Sequence, residues 1–248
     1  MDKKEFEIFL DTYTNLPRQG PGNNESTKKA LENIKDLPAH PLILDLGCGS
    51  GMQTLEIARN IDCNIITIDN FPQFITELNI RAVKENLSSK ITTFNKSMFE
   101  LDFEPESFDI LWAEGSIYII GLEKGLIEWT QFLKNGGYFA FTECSWLTDQ
   151  ISPEPEQFWA TNYPEMKTVS ENLEIIENLG FEVINHFTLP ENAWWDTYYN
   201  PLKANLEKIA QKYGPEADSV IAEIYSEINL YQNYSNEYGY EFFIIKKG

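Results

Sequence analysis

The chain has 248 residues, and 39 acidic against 19 basic side chains give a formal net charge of −20. A field of that sign repels phosphate backbones and anionic bilayers, so nucleic acid and membrane surfaces are excluded as expected partners. Three cysteines without a Cys-x-x-Cys pair, and two histidines far apart, exclude a disulfide framework and a zinc site, and no metal is expected.

Hydrophobic residues at 42% suffice for one large domain with a sizeable core. No signal-type or membrane-length apolar run is visible, and a cytoplasmic protein is the expectation. Phe6, Phe9, Leu10 and Tyr13 recur at i, i+3, i+4 and i+7, which predicts an amphipathic helix over 4–13. Leu16 to Glu25, rich in Pro, Gly and Asn, reads as a loop. Ser26 or Thr27 is then expected to cap a second helix that carries Ala30, Leu31 and Ile34 inward and stops near Pro38.

From Leu42 strands and helices alternate. The spacing predicts strands at 42–46, 64–69, 91–95, 108–113 and 138–143, with helices at 52–60, after Pro72, and through Leu122, Leu126, Trp129 and Leu133. Asn135-Gly136-Gly137 is the expected stop of that last helix. Trp146 to Met166 reads as a long irregular connection. Thr168 and Glu171 have capping-box spacing ahead of a helix ended by Gly180, and a sixth strand covers 181–187. Two more amphipathic helices follow, through Leu202, Leu206, Ile209 and Tyr213 and through Ile221, Ile224, Ile228 and Tyr231. A last strand over 240–245 arrives by an edge connection and is expected to be antiparallel. The fold class is therefore α/β: a doubly wound, mostly parallel, seven-stranded sheet. Residues 1–40 form N-terminal helices and a lid loop, 41–145 a ligand-binding core, and 146–248 complete the sheet with aromatic-rich helical additions before the last strand, all within one domain.

Asp45-Leu-Gly47-Cys48-Gly49-Ser-Gly51 carries the strongest chemical signal. Glycines serve where φ is positive or where a Cβ would block a ligand, and open α/β sheets bind ligands at the carboxyl ends of their strands. A second acid, Asp69, ends the next strand, where a carboxylate can accept both protons of a ribose diol.

These residues resemble the class I S-adenosylmethionine-dependent methyltransferases, over roughly Leu42 to Glu143. The later segments Phe108-Asp-Ile-Leu-Trp-Ala-Glu114-Gly-Ser116 and Leu133-Lys-Asn-Gly-Gly137 match in order and spacing. The resemblance implies a Rossmann-like fold and S-adenosylmethionine as cofactor. It puts Asp45, Gly47, Cys48, Gly49 and Gly51 against the amino-acid end and ribose, Asp69 on the diol, Asn70 beside the adenine, and Ser97 and Met98 in the adenine contact, with Ser97 standing where the family usually has an acid. Glu114 falls at the rim of the transfer site. The loop Arg18-Gln19-Gly-Pro-Gly22 and the segment Glu114 to Tyr118 also resemble a subgroup of small bacterial methyltransferases of unassigned substrate, which makes that loop a lid with Arg18 or Gln19 on the cofactor carboxylate.

The expected activity is methyl transfer to a small molecule, with Glu114 and Tyr118 as candidates for base and orienting hydroxyl. Trp146, Phe158, Trp159, Tyr163, Trp194, Trp195, Tyr198 and Tyr199 either wall an acceptor pocket, even one holding an ammonium, or pack the added helices. A dinucleotide oxidoreductase is the rival reading, but Met52 fills the place its third glycine would take. A non-catalytic cofactor-binding module is the other. A homodimer is also entertained, built on apolar faces of the N-terminal helices.

Overall fold

The computed structural model describes residues 2–248. Helices α1 (Lys3–Tyr13) and α2 (Asn24–Leu31) precede the sheet. The core then runs β1 (Leu42–Leu46), α3 (Met52–Asn60), β2 (Asn64–Asp69), α4 (Pro72–Lys84), β3 (Ile91–Asn95), β4 (Phe108–Ala113), α5 (Leu122–Trp129) and β5 (Leu133–Trp146). After it come α6 (Pro153–Asn162), a two-residue β6 (Lys167–Thr168), α7 (Val169–Asn178), β7 (Glu182–Thr188), a short α8 (Asn192–Trp194) continued by a π-helical turn at Trp195–Tyr199, α9 (Asn200–Tyr213), α10 (Asp218–Tyr234) and β8 (Tyr238–Lys246). Among the described residues no helix is long and apolar enough to cross a membrane.

The strand order is β3-β2-β1-β4-β5-β8-β7, with β6 added against β5. Pairing is parallel from β3 to β5 and antiparallel where β8 inserts between β5 and β7. The expected mostly parallel sheet is thus present, with β6 as an extra short strand.

Period-two alternation sends the strands' side chains to two cores. Ile43, Ile110, Trp112 and Ala140 pack under α2, α3 and α4, while Leu44, Leu111, Phe139 and Phe141 pack under α5 and α7. A third cluster, holding Trp194, Tyr198, Tyr199, Leu206, Ile228 and Tyr231, joins the C-terminal helices. Most of those side chains are nearly solvent-free, each contributing about 1.5–3 kcal/mol through burial.

Four local expectations need correction. The cap of α2 is Asn23, whose side chain accepts the Ser26 N–H at 2.8 Å, so the helix starts earlier than Ser26 and ends at Leu31, well before Pro38. Leu133 does not belong to α5: a 3-10 turn at Thr130–Phe132 ends the helix, and Leu133 pairs with Phe108 as the first residue of β5. Asn135-Gly136-Gly137 therefore lies within a strand, at an irregular register shift between β4 and β5. The connection 146–166 is not irregular throughout, since Pro153 opens α6 in the first turn, where its missing N–H costs nothing.

Candidate active site

The glycine turn after β1 is shaped by close approach to protein as well as by ligand space. Gly47 has φ 73°, and a Cβ there would come within 2.6 Å of the Ser116 Cβ. Gly51 has φ 82° at the start of α3, and a Cβ there would collide with Leu78 of α4. Two of the three glycines are thus fixed by left-handed backbone and by packing.

The turn opens onto a cavity of about 570 Å³, a size ordinary for a small-molecule site. Of the sequence-predicted residues, Arg18, Gln19, Gly47, Cys48, Gly49, Gly51, Asp69, Asn70, Ser97, Met98, Glu114 and Tyr118 all line it. Asp45 does not, and its expected ligand contact is corrected. It is fully buried beneath the turn, where it accepts from Thr54 Oγ1 and, at 3.5 Å, from Gln53 Nε2. Burial pushes its carboxyl up to about 7, opposed by the Thr54 hydrogen bond. Its work is to tie the turn to α3.

Asp69 is held ready at the cavity edge. Its Oδ2 accepts the Gly49 N–H at 2.9 Å and its Oδ1 the Phe71 N–H at 2.8 Å. Burial raises its carboxyl while these N–H groups lower it. Near the rim, Met98 donates nothing through its side chain, and its carbonyl accepts from Trp129 Nε1 at 3.2 Å, which fixes the loop after β3. The Ser97 hydroxyl accepts the Phe99 N–H at 3.2 Å.

The loop between α1 and α2 is hydrogen-bonded to the turn, but its anchors differ from the expected ones. Arg18 does not stand free for a ligand carboxylate: its Nη1 meets Glu114 Oε2 at 2.8 Å, and both side chains are buried, 6% and 3% exposed. Glu114 Oε1 accepts from Thr27 Oγ1 at 2.7 Å and from Trp112 Nε1 at 3.0 Å. With both oxygens engaged, Glu114 is an anchor for the lid, which argues against its expected role as a base. Gln19 Oε1 accepts the Ser50 N–H at 2.7 Å and so stitches the lid to the glycine turn.

Arg81 on α4 completes this closure and went unnoticed in the sequence. It donates to the Leu16 carbonyl at 2.8 Å, the Pro17 carbonyl at 3.0 Å and the Ser50 hydroxyl at 2.9 Å. Nothing but an arginine on a helix face marks it in the sequence, because two of its acceptors are backbone carbonyls 64 and 65 residues away.

Beyond the turn the cavity becomes aromatic. Trp159, Tyr163, Trp194 and Tyr198 are in its wall, together with Tyr13, Tyr118 and Tyr240. The aromatics divide within one cluster: Trp146, Phe158, Trp195 and Tyr199 pack without reaching the cavity, while Trp194 packs and also lines it, stacked on Tyr231 at 4.0 Å between centroids. Tyr118 stands at the rim, 41% exposed, and desolvation pushes its phenol up to about 12. Its hydroxyl therefore keeps its proton at neutral pH.

A family profile described as a methyltransferase domain matches residues 44–141. Sterol 24-C-methyltransferases of Candida albicans and Saccharomyces cerevisiae are 31% and 32% identical over 74% and 65% of this chain. Those alignments cover 51% and 44% of the relatives, so the chain spans about half the length of the curated relatives it matches. Among solved structures, a SAM-dependent methyltransferase from Geobacter sulfurreducens in complex with S-adenosyl-L-homocysteine has the same fold, with a TM-score of 0.84 at 20% identity over 98% of both chains. A SAM-dependent methyltransferase from Thiobacillus denitrificans gives 0.84 at 21% identity, over 97% of this chain and 98% of that one.

Proposed function

We infer that this chain, which belongs to the class I S-adenosylmethionine-dependent methyltransferase family, transfers a methyl group from S-adenosylmethionine to a small-molecule acceptor. The observation that carries this reading is one continuous cavity: a glycine turn and the oriented Asp69 carboxylate at one end, an aromatic chamber at the other. The residues present fit the cofactor. A carboxylate pinned by two backbone N–H groups suits a ribose diol, and Asn70, Ser97 and Met98 flank the place for an adenine.

When bound, S-adenosylmethionine supplies a methyl group already activated on a sulfonium. What the protein adds is position and exclusion of water. Gln19, Arg81 and the Arg18–Glu114 pair hold the lid over the turn and keep solvent out. The Tyr118 hydroxyl is the group we assign to orienting the acceptor at the rim. The charge of −20 supports the further reading that nucleic acid is not a partner.

A sterol-like acceptor is a second reading, favoured by the names of the relatives and by the aromatic chamber. Calorimetric titration with S-adenosylhomocysteine, followed by S-adenosylhomocysteine release across an acceptor panel, tests the activity. Tight cofactor binding with turnover of one acceptor class is expected. Binding of NAD with no response to either adenosyl ligand would overturn the reading.

A further inference from the structure

The charged side chains in the cavity wall are Arg18, Lys96, Asp69, Glu114 and Glu227. Four of them are accounted for. Arg18 and Glu114 neutralise each other, Lys96 pairs with Asp102, and Asp69 holds two backbone N–H groups in the cofactor half. Glu227, on α10, is different. It lies in the aromatic half, and among the described residues its hydrogen bond is to the neutral Tyr199, whose hydroxyl donates to Oε1 at 2.9 Å. Among the described residues no cation faces it: both basic residues of the wall are spent elsewhere.

An anionic acceptor group in that half would therefore meet an unopposed carboxylate, and a neutral one would leave that carboxylate without a counter-ion. A cation would find a counter-ion and, around it, the faces and edges of Tyr13, Tyr163, Tyr198, Tyr240, Trp159 and Trp194. The Glu227 side chain is half-buried, and desolvation raises its carboxyl. Its charge reaches the walls: the phenols of Tyr13 and Tyr199 are raised first by burial and next by Glu227.

We propose that the acceptor half of the cavity is an ammonium site, with Glu227 as counter-ion and the tyrosine and tryptophan side chains as cation–π walls, so that the substrate class is a small molecule bearing a cationic amine. The proposal rests on the methyltransferase reading only in calling this ligand the methyl acceptor; the binding site stands on its own geometry.

The test uses the full chain loaded with S-adenosylhomocysteine and two probes of equal shape, choline and its neutral carbon counterpart 3,3-dimethylbutan-1-ol. Calorimetry is expected to give at least about tenfold tighter binding of choline. Glu227→Gln is expected to abolish most of that preference while leaving S-adenosylhomocysteine affinity and the thermal midpoint near wild type. Equal affinity of the two probes for the wild-type protein overturns the proposal without need of a variant, as does an unchanged preference in Glu227→Gln. Productive turnover of a neutral sterol with no binding of choline overturns it in favour of the sterol-like reading. Failure of S-adenosylhomocysteine to bind at all is a separate result, which defeats the methyltransferase reading instead.

Discussion

The buried pair Arg18–Glu114 permits a quantitative prediction, because each oxygen of the carboxylate has its own donors. Oε1 keeps Thr27 and Trp112 whatever happens to the lid, whereas Oε2 depends on Arg18 alone. Arg18→Leu fills a similar stem volume and leaves one charged oxygen, 3% exposed as a side chain, without a partner. Breaking a buried pair from one side costs about 3–5 kcal/mol, since a charge remains in a dry site. For a chain of this length, that corresponds to a fall of about 6–20 °C in thermal midpoint.

Glu114→Gln makes the mirror-image error. It keeps an oxygen for Thr27 and Trp112 but turns an amide toward the guanidinium. The double variant Arg18→Leu/Glu114→Gln removes both charges together. It is expected to cost less than the sum of the single changes by about 2 kcal/mol or more. Urea unfolding of the four proteins at pH 7 measures this coupling, and S-adenosylhomocysteine titration follows the lid in parallel. Additivity to within about 0.5 kcal/mol would refute the reasoning, because it would mean that the pair is not coupled in the folded state.

Two further outcomes follow from the buried acid and the crowded glycine. Burial pushes Glu143 up to about 8 against an ordinary value of 4.5, with the Tyr163 hydrogen bond opposing the rise. The folded state then holds a proton that the unfolded chain gives up, so stability falls as pH rises from about 4.5 to about 8, by up to about 1.4 kcal/mol per pH unit for this one group. Glu143→Gln, which keeps an oxygen for Tyr163, should flatten that decline in unfolding curves from pH 5 to 9, and parallel curves for the two proteins would count against it. Gly51→Ala places a Cβ on Leu78 at φ 82° and should cost more than about 1 kcal/mol by thermal melting, with partial recovery in Gly51→Ala/Leu78→Ala. Absence of recovery would mean that backbone strain, not the collision, dominates.

The sheet and the cofactor half were legible because short-range signals determine them. β1, β2 and β4 are apolar runs punctuated by an acid or a glycine, and β1, α3, β2, β3 and β4 begin and end where the spacing puts them. Misreadings arose where a local pattern ran past its structural cause. The apolar step from Trp129 to Leu133 continues a helical period, yet pairing with Phe108 claims Leu133 for β5. α6 has two prolines in its opening Pro153-Glu-Pro-Glu and only a weak apolar stripe, so it presents no helical period to read.

The aromatic end of the cavity was illegible for a different reason: its chemistry depends on long-range juxtaposition. Glu227 sits between Ile224 and Ile228, the inward residues of an ordinary amphipathic helix, and in sequence it is one more acid among 39. Its character comes from Tyr199, 28 residues earlier, and from the assembly of α1, β8 and the 192–199 turn around it. The same holds for Glu114. Its motif position suggested a base, and only the fold of Arg18, 96 residues away, makes it an anchor. The glycines and aspartate at one end of the cavity sit on turns whose geometry demands them, and those leave a signature in one dimension. The aromatic side chains and Glu227 at the other end need only be brought together, and any helix of the right length can carry them. Acceptor choice should therefore change by substitution around Glu227 without disturbing Asp69 or the glycine turn, a separation of functions that the two ends of one cavity make physically available.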